Sequence, residues 1–98
     1  MKHERAHAVD ADIKASNIKR LRRIEGQVRG LQKMVEEDRY CGDIVMQVAS
    51  VQEALRGVAR QLMRNHLKHC ATAAIKKGPP EAEQMYDELL DLVYRHLR

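Results

Sequence analysis

Phenylalanine and tryptophan are absent, tyrosine occurs three times and proline twice. The apolar content therefore falls to Leu, Val, Met and Ala, a set that suits helices better than sheets. With so few rings there is no platform for stacking single-stranded bases. No apolar run approaches the roughly 18 residues that a membrane helix needs. The start, Met1-Lys2-His3-Glu4-Arg5, leads into polar residues and not into an apolar signal core, so the expected location is the cytoplasm. Only two cysteines are present, Cys41 and Cys70. In a cytosolic chain such a pair fits thiolate ligands or redox thiols better than a structural disulfide. What is there makes one small domain of 98 residues, which buries a modest core alone and gains from oligomerisation. The net charge of +4 permits an anionic partner without requiring one.

Residues 1–12 are polar and read as a flexible tail, with His3 and His7 four apart within it. A first helix is expected from about Asp12 to Glu37, with Asp10 or Asp12 capping its start. Ile18, Leu21, Ile24, Val28, Leu31 and Val35 recur at spacings of three and four and form an apolar stripe. Gly26 and Gly30 weaken this helix and suit a close approach by another. Its other faces are basic, with Lys19, Arg20, Arg22 and Arg23 packed into five positions. A charge run is usually a solvated face. Here the positives are concentrated and the acids collect at the far end, which favours a surface that contacts phosphates.

Glu37-Asp38-Arg39-Tyr40 reads as a polar turn. A second helix begins near Cys41 and carries Ile44, Val48, Val51, Leu55, Val58 and Leu62 at the same spacing. It is expected to reach Lys77, where Gly78-Pro79-Pro80 stops it. Its length of roughly 54 Å exceeds the width of about 35 Å of a compact globule this size. The helix must therefore project into a neighbour, bend, or both. A third helix follows, acidic early and basic late, with Met85, Leu89, Leu92 and Val93 as its apolar face.

The chemistry concentrates at the two ends of the second helix. His66 and Cys70 are four apart and share a helix face. Cys41 lies roughly 37 Å away along a straight helix, so one chain cannot close the set unless the helix breaks. Two antiparallel copies bring the start of one helix beside the end of the other. Two thiolates and an imidazole form a soft set that selects Cu(I), Zn(II) or related ions. Three ligands suit Cu(I), whereas structural Zn(II) wants four. His69, Met63 or a tail histidine remains open as a fourth ligand. The plainer alternatives are a surface histidine and two small buried thiols. Beyond these residues no nucleophile–base constellation points to an enzyme.

Arg20-Leu21-Arg22-Arg23-Ile24-Glu25-Gly26-Gln27-Val28-Arg29-Gly30-Leu31, then Tyr40-Cys41, Gln47-Val48-Ala49-Ser50-Val51-Gln52, and Asn65-His66-Leu67 with Cys70, resemble the copper-sensitive operon repressors. The resemblance spans roughly residues 14–95. It implies an all-α fold: a three-helix protomer, an antiparallel four-helix-bundle dimer, and a tetramer built as a dimer of dimers. It implies that residues 13–98 form a single metal-sensing and DNA-binding domain. Cys41 of one subunit with His66 and Cys70 of another match the family's copper ligands. Tyr40 matches the tyrosine that supports them, and Glu88 matches the supporting glutamate if the Gly78-Pro79-Pro80 region carries a short insertion. Arg20 matches a DNA-contacting arginine of the first helix. The family's second such arginine is replaced by Gly57, flanked by Arg56 and Arg60.

Within that family, persulfide sensors lack the histidine present here as His66. Formaldehyde sensors use an N-terminal proline where this chain has Lys2, and they lack the second cysteine. Nickel and cobalt sensors recruit an N-terminal histidine, a reading that His3 and His7 keep open. The resemblance therefore implies a Cu(I)-responsive repressor that binds double-stranded operator DNA without metal and leaves it when metal binds. The alternatives are a nickel-, cobalt- or persulfide-responsive repressor, or a cytosolic metal- or thiol-buffering protein with no DNA role.

Overall fold

The structure, a computed structural model, describes residues 9–96, and every regular element among them is helical. The order is α1 (Ala11–Glu36), α2 (Cys41–His66), a π-helical turn (Leu67–Ala71), α3 (Thr72–Lys77) and α4 (Pro79–His96). The expected long second helix is thus α2 and α3 with a π turn between them. No helix among the described residues is long and apolar enough to cross a membrane. His3, His7 and most of the expected tail lie outside the described residues.

Two compact units partition the described chain, Val9–Met63 and the part from Arg64 onward. In the first, Asp10 stands at the N-cap of α1. It accepts the first helical bond through its carbonyl (Lys14 N, 2.7 Å) and makes no side-chain capping bond. The helix ends in a Schellman motif: Asp38 N–H donates to Val35 O at 3.2 Å and Arg39 N–H to Met34 O at 3.0 Å. That motif needs a left-handed residue, and Asp38 supplies it at φ 54 where glycine is usual. Tyr40 then starts α2, its carbonyl accepting Asp43 N–H at 3.0 Å and Ile44 N–H at 3.2 Å.

The core of this unit is Ile24, Val51 and Val58, with Leu31 and Ala54 packed against it. Burying each of the three large side chains stabilises the unit by roughly 1.5–3 kcal/mol. Only part of each expected stripe is used. Ile18, Leu21, Val28 and Val35 of α1 and Val48, Leu55 and Leu62 of α2 remain exposed. The chain itself makes no close approach at Gly26 or Gly30, where an added Cβ would meet open space. Asn17 extends the α1 stripe one step before Leu21 and is only 4% exposed. Neither amide atom of Asn17 has a hydrogen-bond partner among the described residues, an arrangement that costs about 1–3 kcal/mol.

In the second unit α3 closes on Gly78, whose φ of 117 and ψ of −177 lie in a region essentially reserved for glycine. Pro79 is the first residue of α4, where its missing N–H is no loss. Ala82 N–H bonds Gly78 O at 2.9 Å. Ala71, Ala82 and Met85 are buried. Leu89 and Leu92 are half-buried, whereas Val93, expected on the apolar face, is exposed.

Candidate metal centre and nucleic-acid interface

His66 is the last residue of α2, and Cys70 lies four residues on, inside the π turn. Glu88 comes from α4, and its Oε1 stands 2.9 Å from His66 Nε2. Both side chains are largely shielded, at 19% and 13% exposure. The pair stands at ion-pair distance without the alignment of a hydrogen bond, so a carboxylate oxygen lies against one ring nitrogen of His66. Cys70 is a free, partly buried thiol. Burial pushes its pKa up, the negative charge of Glu88 adds to the rise, and a backbone hydrogen bond partly offsets both. The structure therefore brings His66 and Glu88 together, with Cys70 within reach of the same carboxylate's charge. His69 also lies in this turn, partly buried.

Cys41 is a free, exposed thiol at the first position of α2. The Tyr40 ring lies over Gly42, where an added Cβ would come within 2.5 Å of the ring. Among the described residues no cluster of three or more His, Cys, Asp or Glu side chains is placed to hold a metal ion.

Lys19, Arg20, Arg22 and Arg23 are all exposed on α1, as are Arg56 and Arg60 on α2. Among the described residues none of the six pairs with a carboxylate; the ion pairs of this kind join Arg29 to Glu25 and Arg95 to Asp91. Arg20 reaches across to α2: its guanidinium would sit 3.3 Å from a Cβ at Gly57. An arginine from α1 thus lies beside the position on α2, between Arg56 and Arg60, that carries no side chain.

Residues 13–95 match the family described as metal-sensitive transcriptional repressor. The chain belongs to this family. The copper-sensing transcriptional repressor CsoR of Bacillus subtilis (strain 168) is 55% identical over 73 residues, covering 74% of this chain and 70% of that protein. The Cu(I)-bound copper-sensing repressor CsoR of Geobacillus thermodenitrificans NG80-2 superposes with a TM-score of 0.81 at 41% identity, over 95% of this chain and 99% of that one. The nickel-responsive transcriptional regulator InrS superposes with a TM-score of 0.71 at 37% identity, over 92% and 97% of the two chains.

Within this repressor family, three features of the chain carry no advance signal in the sequence. Helical spacing alone does not mark the π turn between His66 and Cys70. The Thr72 hydroxyl bond to Leu67 O, at 3.2 Å, follows from that turn. Arg20 over Gly57 is a tertiary contact, although the glycine in a basic stretch of α2 is a visible anomaly.

Proposed function

We propose that this chain is a Cu(I)-responsive repressor that holds operator DNA without metal and releases it when Cu(I) binds. The observation that carries the reading is the Glu88–His66 contact of 2.9 Å beside the free thiol of Cys70. An imidazole beside a carboxylate, on a histidine four residues from a thiol, supports a reading of the two as ligands for a soft metal. Cys41 of a second copy completes the set, because the uninterrupted α2 keeps Cys41 and His66 of one chain at its opposite ends. When bound, Cu(I) supplies a strong bond that links the three side chains. Everything else is done by the chain: Glu88 fixes the ring of His66, the two thiols give up their protons, and the binding favours one arrangement of the copies.

The exposed apolar residues of α1 and α2 support assembly into antiparallel dimers and a tetramer. Light scattering should give a particle four times the 11.3 kDa chain. Operator DNA is met by the unpaired cations Lys19, Arg20, Arg22, Arg23, Arg56 and Arg60, and Tyr40 supports the metal site from beside Cys41. A nickel-responsive reading draws on the similarity to InrS, but that similarity is the lower of the two structural ones, and three soft ligands suit Cu(I). The test is an anaerobic titration of the reduced protein on labelled promoter DNA. Stoichiometric Cu(I) should release the DNA, and nickel at the same concentration should not. A buffering protein would show no salt-dependent DNA binding at all.

A further inference from the structure

Between the two candidate ligands of one chain the helix changes its winding. Residues up to His66 are α-helical, Leu67–Ala71 form a π turn, and Thr72 resumes the α-helix. An α-helix bonds each N–H to the carbonyl four residues back; a π turn widens this to five. One extra residue is thereby fitted into the turn that carries Cys70, and the direction of Cys70 about the axis relative to His66 changes with it. Such turns are rare, occur singly, and need something to hold them against reversion to the α register.

The hold is visible. Thr72 Oγ1 donates to Leu67 O at 3.2 Å, five residues back. A threonine inside a helix ordinarily bonds back to the carbonyl four residues behind it. Here the hydroxyl reaches the carbonyl of the π register instead, while the Thr72 backbone N–H turns to His69 O. Within the turn Ala71 is 3% exposed, while the Thr72 hydroxyl makes its bond to Leu67 O at the exposed surface. We propose that Thr72 is a positioning residue for the metal site: its hydroxyl holds the π turn that sets Cys70 against His66. It acts through the Leu67 carbonyl. The inference rests on the reading of His66 and Cys70 as Cu(I) ligands.

The experiment compares the parent with Thr72→Val, which keeps the shape and loses the hydroxyl, and with Thr72→Ser, which restores it. Cu(I) affinity is read by competition with a chelator, the coordination by near-ultraviolet sulfur-to-copper absorption, and DNA affinity on the metal-free protein. Losing one hydrogen bond predicts Cu(I) binding about 3- to 10-fold weaker in Thr72→Val. Its absorption band should be altered, its metal-free DNA binding unchanged, and Thr72→Ser should return to the parent. Cu(I) affinity and absorption in Thr72→Val equal to the parent would overturn the inference. So would a Thr72→Ser variant as impaired as Thr72→Val, or a loss of DNA binding in step with metal binding. A parent that takes up no Cu(I) would instead overturn the reading of the site on which the inference stands.

Discussion

His66 Nε2 and Glu88 Oε1 stand 2.9 Å apart, which ties the end of α2 to the middle of α4. The contact does two things at once. It sets a carboxylate against the ring of a candidate ligand, and it makes the end of α2 and the middle of α4 neighbours. Replacing Glu88 with alanine leaves the ligands in place but frees the ring. Loss of a partner of this kind lowers metal affinity by about 10- to 100-fold. Chelator competition on Glu88→Ala should show a drop of that size, with metal-free DNA binding intact; a parent-like affinity would remove Glu88 from the site.

Glu88 also acts on Cys70 through its charge. Burial raises the thiol's pKa first and the carboxylate second. A raised pKa means that the proton stays on to higher pH, because the thiolate is disfavoured by desolvation and by a like charge. Removing the carboxylate charge in Glu88→Gln takes away the second cause only. In a Cys41→Ser background, where Cys70 is the single thiol, alkylation rate against pH should shift to lower pH in Glu88→Gln. A shift to higher pH, or none, would contradict this account of the site's electrostatics.

At the proposed DNA surface, Arg20→Ala, Arg22→Ala and Arg23→Ala should each weaken operator binding and leave Cu(I) affinity intact. Each lost phosphate contact should lower the slope of log affinity against log salt by about 1. Arg20 carries an additional check, because it lies over Gly57. A Cβ there would sit 3.3 Å from its guanidinium, the mobile end of an exposed side chain, so Gly57→Ala shifts it by only a few tenths of an ångström. Gly57→Ala should therefore bind DNA nearly as the parent does, while Arg20→Ala is weakened. Parent-like isotherms for all three arginine variants would take this surface out of the interface.

Much of the helical layout was legible because its signals are local. The stripes from Ile18 to Val35 and from Ile44 to Leu62 set two helices, and Gly78-Pro79-Pro80 set the boundary before the last. The structure starts α1 at Ala11, α2 at Cys41 and α4 at Pro79, close to those expectations. The π turn was not legible, since Leu67–Ala71 has no residue that forbids α-helix. Nor was the burial of Asn17, which depends on what packs over it. The stripes also overstated the core: periodicity marks a face that avoids water, not whether the same chain or a second copy covers it. The nearness of Glu88 to His66 has no spacing rule behind it, since none connects the end of one helix to the middle of another; the resemblance offered Glu88 as a supporting glutamate only with a short insertion near Gly78-Pro79-Pro80.

Asp38 offers a stability test away from the site. It holds the left-handed position that closes α1, at φ 54. Asp38→Gly should stabilise the protein by about 0.5–1 kcal/mol, as relief of the left-handed strain exceeds the added chain entropy of the unfolded state. Asp38→Val, β-branched at the same φ, should destabilise it by at least as much. Urea unfolding at one fixed protein concentration decides the sign, because assembly makes apparent stability depend on concentration.

Sensing and DNA binding should separate by mutation. Cys41→Ala removes one soft ligand and His66→Ala the only nitrogen, while the buried residues Ile24, Val51 and Val58 are untouched. Both variants should fold, and both should bind operator DNA, since the basic residues lie elsewhere on α1 and α2. What they should lose is release by Cu(I), leaving the promoter repressed at every copper concentration. His66→Ala is the sharper of the two. Both thiols remain, so Cu(I) is still held by two sulfurs, but the contact from the ring to Glu88 is gone. Metal binding should therefore survive in weakened form while its effect on DNA affinity collapses. By linkage, the effect of DNA on metal affinity must collapse by the same factor. Measuring both legs of that cycle, Cu(I) affinity with and without DNA and DNA affinity with and without Cu(I), tests the claim twice. If His66→Ala is released by copper as readily as the parent, the histidine is outside the switch, and the two thiols alone carry the signal.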